Sequence, residues 1–419
     1  MLKLIIDENI AFVNTAFNQF GNVTLLPGRE ISNSVLKDAD VLIVRSITKV
    51  NEKLLENTPV KFVGTATIGT DHIDIDFLKK NNIAFADAKG CNAYSVAEYV
   101  IASLLNLSIK FDFSLKDKSI GIIGVGNVGS KVTAFAEALG MKVLLNDPPL
   151  QRQHVNSQKV ISKESSTEKS VKGIRLLPSV EVTNEIKKES LQKNNYERSY
   201  VKLEKILSAD IITLHVPLNL MGIDKTYHLF DKEKLSKIKD KTILLNTSRG
   251  SVINNAELLD VIEKKKLKVV LDVWENESDI NVELLNKVLI GTPHIAGYSF
   301  EGKVNGTQMI YNSLCEFLDV DKIFLFKKEV PQNSLKSFEE SRNIETGLEK
   351  LISSIYPIND DDERMRKMLT MNGDEQIKYF DLQRKNYPKR REFNNYNVES
   401  KKMKDEIKNI LTKLRFYLT

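Results

Sequence analysis

Short apolar runs separated by polar, helix-like stretches make up the first 90 residues of the chain. Four of these runs are rich in Val, Ile and Leu, as is typical of parallel strands buried on both faces. They cover residues 2–6, 41–44, 61–64 and 83–86. A helix with one apolar face is predicted over 92–107. The pattern indicates a first α/β unit and a helix that carries the chain into a second one.

The alternation of apolar runs and helical stretches resumes after residue 118. Strands are predicted over 119–123, 142–147, 210–215, 242–246, 269–273 and 288–291. Such a repeating order of strands and helices predicts a doubly wound parallel sheet, in which ligands bind beyond the carboxyl ends of the strands.

A glycine-rich turn joins the first strand of this second unit to a helix predicted over 130–140. The turn consists of Gly124, Val125, Gly126, Asn127, Val128 and Gly129. Gly124 allows a tight turn, Gly126 lets the backbone approach a pyrophosphate, and Gly129 lets the helix pack close to the strand. The amides at the start of the helix attract phosphate. The strand, turn and helix together predict a dinucleotide site.

An acidic residue at the end of the next strand supports this prediction. Asp147 lies eighteen residues beyond Gly129, close to the roughly 20 expected for a carboxylate that holds the ribose hydroxyls. A carboxylate repels a 2′-phosphate, so NAD is favoured over NADP. Arg152, a few residues further on, is a residue type that binds a 2′-phosphate, so NADP stays an alternative.

The length, charge and cysteine content of the chain limit the classes of protein to which it can belong. The chain has 419 residues, too many for one ordinary core, so two or three domains are expected. A net charge of +5 is small for this length and does not suggest a nucleic-acid-binding protein. Two cysteines, Cys91 and Cys315, argue against a disulfide framework and a structural zinc site, and fit a reducing cytoplasm. The apolar runs are too short for a signal peptide or a membrane span.

Two regions depart from the α/β pattern. Residues 151–200 are rich in Lys, Glu, Ser and Asn, which favours a solvated surface insertion over a regulatory arm. From about residue 332 the sequence becomes charged and helix-like. Residues 380–393 combine basic and aromatic side chains, which indicates a solvated helix face or a subunit contact in preference to nucleic-acid binding.

Three side chains of catalytic type each follow a predicted strand of the second unit: Arg249, Glu277 and His294. An imidazole suits proton removal near neutral pH, since its ordinary pKa is about 6.5. A carboxylate on the far ring nitrogen fixes the tautomer and stabilises the imidazolium. A guanidinium grips a substrate carboxylate with two parallel hydrogen bonds. We therefore expect these three residues to act together beside the nicotinamide.

This constellation of Arg, Glu and His after a dinucleotide turn resembles the D-isomer specific 2-hydroxyacid dehydrogenase family. One branch of that family, which oxidises a phosphorylated four-carbon 2-hydroxy acid on the route to pyridoxal 5′-phosphate, matches several stretches. They are residues 6–9, 27–29, 44–51, 62–72, 90–93, 147–149 and 293–298. Residues 384–387 and 390–392 resemble that branch's C-terminal dimerisation domain. An insertion of roughly 40 residues after Pro149 departs from the family pattern.

The resemblance implies further site residues. The implied substrate contacts are Ser46, Thr67 and Tyr298. The implied cofactor contacts are Asp147, Val216, Thr247, Ser248, Arg249, Asp272 and Gly297. From its own position after an N-terminal strand, Arg45 is a candidate phosphate ligand or else a solvated charge. His215 is a candidate for the wall of the cofactor pocket.

The expected architecture is α/β, with two Rossmann-like doubly wound parallel-sheet domains and a small C-terminal α+β dimerisation domain. Residues 1–92 with 295–330 are expected to bind substrate, 93–294 to bind NAD and carry the insertion at 151–200, and 331–419 to dimerise. We expect a cytoplasmic homodimer that binds NAD and a phosphorylated 2-hydroxy acid, without a metal, nucleic-acid or membrane partner. The alternatives are a related dehydrogenase for 3-phosphoglycerate or glycerate, and a non-enzymatic NAD-sensing protein.

Overall fold

The computed structural model describes residues 1–153, 200–321, 324, 326, 334–339, 341, 343–401 and 403–419. The predicted insertion at 151–200 therefore lies almost entirely outside the described residues. The chain divides into two compact units. The first unit contains residues 1–92 and the segment that begins at Ser299, and the second contains 93–153, 200–298 and the described part of 334–419.

The elements are named in chain order. The strands are β1 (Leu2–Asp7), β2 (Gly21–Leu26), β3 (Val41–Val44), β4 (Phe62–Thr65), β5 (Ala84–Asp87), β6 (Ser119–Ile123), β7 (Lys142–Asn146), β8 (Ile211–Leu214), β9 (Ile243–Asn246), β10 (Lys268–Leu271), β11 (Ile290–Gly291), β12 (Leu335–Lys336), β13 (Asn397–Val398) and β14 (Tyr417–Leu418). The helices are α1 (Val13–Phe17), α2 (Glu52–Leu55), α3 (Ile75–Lys80), α4 (Ala93–Lys110), α5 (Asn127–Ala138), α6 (Leu203–Ile206), α7 (Lys232–Lys237), α8 (Asn255–Ile262), α9 (Val282–Lys287), α10 (Phe300–Leu318), α11 (Ile344–Ser353), α12 (Ile358–Arg366), α13 (Gly373–Lys385) and α14 (Asp405–Lys413). Short 3₁₀ turns cover Asn33–Leu36, Leu115–Asp117, Gly250–Val252, Lys367–Thr370 and Phe393–Asn395.

A parallel sheet of order β2-β1-β3-β4-β5 forms the centre of the first unit. The four predicted runs are confirmed as β1, β3, β4 and β5, each shifted by a residue at most. Strand β2 was not predicted, because its residues alternate between half-buried and exposed positions at the sheet edge. Apolar side chains pack on both faces of the sheet, as expected for parallel strands.

The second unit contains a six-stranded parallel sheet of order β11-β10-β9-β8-β6-β7. The predicted doubly wound α/β architecture is confirmed. The strand order reverses between β6 and β8, so the loops after these two strands diverge and leave a crevice at the carboxyl edge. The glycine-rich turn follows β6 and therefore lies at this crevice.

Helix α4 is a long and almost fully buried helix of the second unit. It runs from Ala93 to Lys110, which confirms the helix predicted over 92–107. It packs against α5 of the dinucleotide motif and against α11 of the C-terminal segment. Nearly every side chain from Ala93 to Leu107 is buried, because the helix is packed against several helices of the same unit.

The C-terminal segment shares its core with the dinucleotide domain. Its short parallel sheet, β12-β13-β14, packs beside Phe393, which belongs to the same apolar cluster as Ile120 of β6 and Phe135 of α5. The expectation of a solvated helix face over 380–393 is wrong. Helix α13 ends at Lys385, and Arg390, Arg391 and Phe393 are each at most 6% exposed. The subunit-contact alternative stays a prediction.

Two further findings concern the described residues. No helix among them combines the length and apolar character needed to cross a membrane. No group of three or more His, Cys, Asp or Glu side chains among them is placed to hold a metal ion.

Candidate active site

The glycine-rich turn has the geometry that a pyrophosphate requires. Gly124 has φ +83°, and a Cβ there would lie 2.5 Å from the His215 carbonyl oxygen. A Cβ at Gly129 would lie 1.9 Å from the Gly124 carbonyl oxygen. At Gly126, by contrast, a Cβ would meet nothing within 4 Å. Gly126 is the N-cap residue of α5 and provides no side-chain cap, so the turn leaves an open cradle of backbone amides for a phosphate.

Asp147 ties the end of β7 to this turn. Its Oδ2 accepts a hydrogen bond of 2.7 Å from the Val125 amide, and its Oδ1 accepts one of 3.0 Å from the Leu150 amide. An ionised carboxylate has lone pairs beyond these two. The predicted ribose contact therefore stays compatible with the structure, and the carboxylate also fixes the shape of the turn.

Arg152, which left the choice between NAD and NADP open, forms an ion pair with Asp224. Asp224 lies on the loop between β8 and α7. An arginine already paired with a carboxylate is a poor ligand for a 2′-phosphate, because the neighbouring negative charge opposes it. The pair thus supports the preference for NAD that Asp147 predicts.

His215 closes the crevice beneath Gly124. Its Nε2 lies 3.0 Å from the Thr213 hydroxyl and its Nδ1 3.3 Å from the Thr247 hydroxyl. Burial lowers the pKa of this imidazole to about 3, so the ring stays neutral at working pH. The next residue, Val216, lies beside Gly124. These positions agree with a cofactor-pocket wall, the role predicted for His215 and Val216.

Arg249 stands on a turn that the side chain of Asn246 organises. Asn246 Oδ1 accepts hydrogen bonds from the Ser248 amide and hydroxyl at 3.0 and 2.8 Å, and its Nδ2 donates to the Arg249 carbonyl at 2.9 Å. A Cβ at Gly250 would lie 1.9 Å from the Trp274 carbonyl. The loop of Arg249, after β9, therefore packs directly on the loop that follows β10.

Glu277 and His294 form the hydrogen-bonded pair that the sequence predicts. His294 Nδ1 lies 2.7 Å from Glu277 Oε2, and Glu277 Oε1 accepts a hydrogen bond of 2.9 Å from the Trp274 amide. A carboxylate that accepts from Nδ1–H leaves Nε2 as the proton acceptor. The His294 side chain keeps 32% of its surface exposed, so that nitrogen is accessible to a substrate.

The electrostatics of this pair keep the carboxylate ionised. Burial raises the pKa of Glu277, but the charge and hydrogen bond of His294, the charge of Arg384 and the Trp274 amide together lower it below its ordinary value. A lasting negative charge on Glu277 stabilises the imidazolium that forms when His294 takes up a proton.

Asp272 holds the loop that carries His294. Its Oδ1 accepts hydrogen bonds from the Thr292 hydroxyl at 2.6 Å and the Ile295 amide at 2.7 Å, and its Oδ2 accepts from the Ala296 amide at 2.9 Å. Burial raises the pKa of this carboxyl, against opposing effects from His294 and these donors. Its predicted contact with the cofactor stays a prediction. The neighbouring Gly297 is half-buried.

The predicted substrate contacts of the first unit follow β3 and β4. Arg45 and Ser46 directly follow β3, and Ser46 is exposed. Thr67 follows β4, and its hydroxyl lies 2.8 Å from the Thr65 hydroxyl and donates to the Gly69 carbonyl at 3.1 Å. The parallel order of the strands places all three residues at one edge of this sheet.

The same edge carries a buried acid that the sequence analysis did not select. Asp7 ends β1, is fully buried, and accepts a hydrogen bond of 2.8 Å from the Asn9 amide through Oδ1. Its Oδ2 has no hydrogen-bond partner among the described residues. The sequence signal that selected Asp147, an acid at the end of a buried strand, also applies to Asp7.

Tyr298, the remaining predicted substrate contact, belongs to the second unit and is half-buried. Side chains of the C-terminal segment surround it. The guanidinium carbon of Arg384 lies 5.9 Å from the centre of its ring, and the Tyr387 ring meets it edge-on at 5.9 Å. Sequence reasoning missed these neighbours, since residues 384–387 were linked only to dimerisation.

Comparison with known proteins agrees with this geometry. The family model "D-isomer specific 2-hydroxyacid dehydrogenase, NAD binding domain" matches residues 106–173 and 165–296. A model for a domain of unknown function, DUF3410, matches residues 329–414. The residues matched by the dehydrogenase model include the dinucleotide turn, Arg249, Glu277 and His294.

Curated relatives cover nearly the whole chain. Erythronate-4-phosphate dehydrogenase of Photorhabdus laumondii is 39% identical over 95% of this chain and 94% of its own length. The enzyme of the same name from Psychromonas ingrahamii is 42% identical over 95% of this chain and 93% of its own. Among solved structures, NAD⁺-bound 3-phosphoglycerate dehydrogenase of Entamoeba histolytica shares the fold, with a TM-score of 0.56, 23% identity and coverage of 76% of this chain and 95% of its own. The chain is thus an NAD-dependent dehydrogenase that belongs to the erythronate-4-phosphate dehydrogenase family, within the D-isomer specific 2-hydroxyacid dehydrogenases.

Proposed function

We propose that this protein oxidises 4-phospho-D-erythronate at C2 to (R)-3-hydroxy-2-oxo-4-phosphooxybutanoate, with reduction of NAD to NADH, as a step of pyridoxal 5′-phosphate biosynthesis. The observation that carries the proposal is the 2.7 Å hydrogen bond between His294 Nδ1 and Glu277 Oε2. It lies in an NAD-binding domain, on loops adjacent to that of Arg249. The high coverage of the erythronate-4-phosphate dehydrogenases supports the substrate.

In this mechanism His294 Nε2 removes the proton of the C2 hydroxyl while the C2 hydrogen leaves as hydride. Bound NAD supplies the hydride acceptor. Glu277 balances the charge of the imidazolium, which costs little because the carboxylate is already ionised and oriented. Arg249 binds the substrate carboxylate through two parallel hydrogen bonds and polarises the C2 oxygen.

We assign the first unit and Tyr298 to substrate recognition. Ser46, Thr67 and Arg45 present hydroxyl and guanidinium donors of the type that phosphate requires. We assign NAD binding to the 93–294 region and to Gly297 just beyond it. The proposed contacts within the region are Gly124, Gly126, Asn127, Val128, Gly129, Asp147, Val216, Thr247, Ser248, Arg249 and Asp272. The open cradle at Gly126 supports the phosphate part of this assignment.

An absorbance assay of NADH formation tests the reaction. We expect 4-phospho-D-erythronate to give a kcat/KM about tenfold or more above those of 3-phosphoglycerate and glycerate, since the relatives that cover nearly the whole chain are erythronate-4-phosphate dehydrogenases. A preference for a three-carbon acid would place the enzyme in another branch. Bound NAD without NADH formation on any of these acids would indicate an NAD-sensing protein.

Arg249→Ala tests the role of the guanidinium. We expect turnover to fall about 10²- to 10³-fold, since the substrate carboxylate loses its bidentate partner. NAD affinity should fall far less than turnover, because the other proposed NAD contacts remain. Loss of NAD affinity with unchanged turnover of the NAD-bound variant would contradict this role.

We further propose that the protein acts as a homodimer in the cytoplasm, with residues 331–419 as the dimerisation domain. The resemblance of residues 384–387 and 390–392 to that domain supports the dimer, and a content of only two cysteines, Cys91 and Cys315, in 419 residues fits a reducing compartment. Size-exclusion chromatography with light scattering should give twice the mass of the chain. The mass of a single chain at micromolar concentration would contradict the dimer.

A further inference from the structure

Helix α13 of the C-terminal segment contacts the catalytic loops at two of its residues. Ser278, next to Glu277, donates a 2.7 Å hydrogen bond to Asp381 Oδ1. One turn later, the guanidinium carbon of Arg384 lies 5.9 Å from the ring centre of Tyr298. Residues three apart share a helix face. One face of α13 therefore touches both the loop of Glu277 and the end of the loop of His294.

The chain after α13 secures the second of these loops. Arg390 is buried, and its Nη2 donates hydrogen bonds of 2.8 Å to the Ala296 carbonyl and 2.7 Å to the Ser95 carbonyl. Tyr387, whose ring packs edge-on against Tyr298, donates through its hydroxyl to Asp361 Oδ2 at 2.8 Å. The backbone around Arg384 is thus held in place, and so is the loop it touches.

The charged groups around the catalytic pair are unevenly distributed. Asp272 interacts with His294 from beneath the loop, and Asp381 lies on α13 beside Arg384. Arg384 is the cation from α13 that acts on Glu277. An arginine remains protonated throughout the working range of pH. Its guanidinium is half-buried, and its Nε has no hydrogen-bond partner among the described residues.

We propose that Arg384 is a positioning residue of the active site, which orients Tyr298 and the loop of Glu277 from the face of α13 that contacts both, so that the C-terminal segment completes the site within its own chain. This inference rests on the proposed dehydrogenase function. The proposal assigns a role in the active site to the region that the DUF3410 model matches. Arg384 acts through Glu277 and Tyr298 and transfers no proton itself.

The pH profile of kcat/KM distinguishes this role from a purely structural one. Arg384→Gln removes a positive charge beside the pair, which favours the protonated forms of both partners. We expect the acidic limb of the profile to move to higher pH by about 0.5 to 1 unit, and kcat at pH 7 to fall about tenfold. Arg384→Lys, which retains the charge, should keep the acidic limb of the parent enzyme.

Lys385→Gln is the matched control. Lys385 is exposed on the same helix, one residue away, so its removal changes the net charge equally without touching the loops. Its profile should equal that of the parent enzyme. An Arg384→Gln profile that falls in height without moving along the pH axis, or a Lys variant as impaired as the Gln variant, would overturn the proposal.

A second measurement separates this proposal from the proposed substrate. Histidine ring signals of the NAD-bound protein, recorded by NMR without substrate and assigned with His294→Gln, report the titration of the Glu277–His294 pair directly. Its midpoint should rise in Arg384→Gln and not in Lys385→Gln. An unchanged midpoint overturns the positioning role, whereas failure of 4-phospho-D-erythronate as a substrate leaves this measurement intact.

Discussion

At the scale of a single residue, both carboxylate oxygens of Glu277 have hydrogen-bond partners. Its Oε2 accepts from His294 Nδ1 at 2.7 Å, while Oε1 is fixed by the Trp274 amide. Glu277→Gln preserves the shape but removes the negative charge that stabilises the imidazolium. We expect kcat/KM for oxidation to fall about 10²-fold or more at pH 7.

Two measurements check the Glu277→Gln prediction. Initial rates of NADH formation between pH 6 and about 9 give kcat/KM, and fluorescence titration gives the NAD dissociation constant. The NAD constant should be unchanged, because the carboxylate contacts His294 and the Trp274 amide and lies outside the dinucleotide turn. A variant that retains more than about a third of the parent rate at pH 7 would show that His294 needs no anionic partner.

Single residues also show what a sequence pattern can and cannot select. Arg249, Glu277 and His294 were selected as candidates because each follows a buried strand, and parallel strands bring their carboxyl ends to one edge. Arg384 was missed because it reaches the site from a helix whose contacts with the loops are set by tertiary packing alone. Asn246, which shapes the Arg249 turn, ends a strand and carries no catalytic group that would single it out.

At the scale of elements, the strand-turn-helix motif separates two roles of glycine. A Cβ at Gly129 would clash with the Gly124 carbonyl at 1.9 Å, whereas a Cβ at Gly126 would meet nothing within 4 Å. Gly129→Ala should therefore destabilise the fold by about 2 kcal/mol or more, because the helix can no longer lie against the turn.

Gly126→Ala should instead leave stability nearly unchanged and weaken NAD binding about tenfold or more, since the methyl group occupies the space where a pyrophosphate would approach. Urea denaturation and NAD titration of both variants check the pair. Equal losses of stability in the two variants would show that the turn does not have the geometry described here.

The side chain of Asp210, which precedes β8, hydrogen-bonds to Ser119 at the start of β6. Asp210 Oδ2 accepts from the Ser119 amide and hydroxyl at 2.9 and 2.7 Å, and Oδ1 accepts from Lys239 at 2.6 Å. Burial raises the pKa of Asp210, but the bonds from Lys239 and Ser119 lower it overall to about 2. The carboxylate therefore stabilises the fold fully above its unfolded pKa, and this stabilisation is lost as the pH falls toward about 2.

Asp210→Asn should consequently be less stable than the parent protein by about 1 kcal/mol at pH 7. The difference should shrink as the pH falls below about 3.8 and be lost only below about pH 2, where the parent carboxyl is protonated as well. Urea midpoints across this range check the trend. Asp117→Asn, at an exposed position, is the control and should show no such trend; a constant difference for Asp210→Asn would contradict the ion-pair account.

Elements were predictable from sequence where burial is continuous. Strands β3 and β9 are buried at each position and appear as unbroken apolar runs. Strand β2 lies at a sheet edge with half of its residues exposed, and β12, β13 and β14 have two residues each. Such elements are held by their neighbours, so their own residues carry little pattern.

At the scale of the whole molecule, the C-terminal segment and the dinucleotide domain share one core. Phe393 is fully buried, stacks on Phe416 at 4.9 Å and belongs to the cluster that contains Ile120 and Phe135. Phe393→Ala should lower the free energy of unfolding by about 3–5 kcal/mol. Because the core is shared, we expect the loss to affect the dinucleotide domain as well.

The single tryptophan of the chain measures this coupling. Trp274 is buried in the second unit, and its Nε1 donates to the Thr292 carbonyl at 2.9 Å. Its fluorescence midpoint in urea should shift in Phe393→Ala by as much as the midpoint from circular dichroism. Leu382→Ala, at a position 49% exposed, should leave both unchanged. An unmoved fluorescence midpoint in Phe393→Ala would mean that the C-terminal segment unfolds on its own.

The hydrogen bonds of Arg390 to the Ala296 and Ser95 carbonyls have a consequence for how the enzyme is made. During translation, His294 is synthesised well before Arg390, whose side chain hydrogen-bonds to the loop of His294. Until Arg390 has been synthesised, the loop of His294 lacks the hydrogen bond at the Ala296 carbonyl. We therefore expect a chain that stops before Arg390 to be a poorer dehydrogenase than one that contains it.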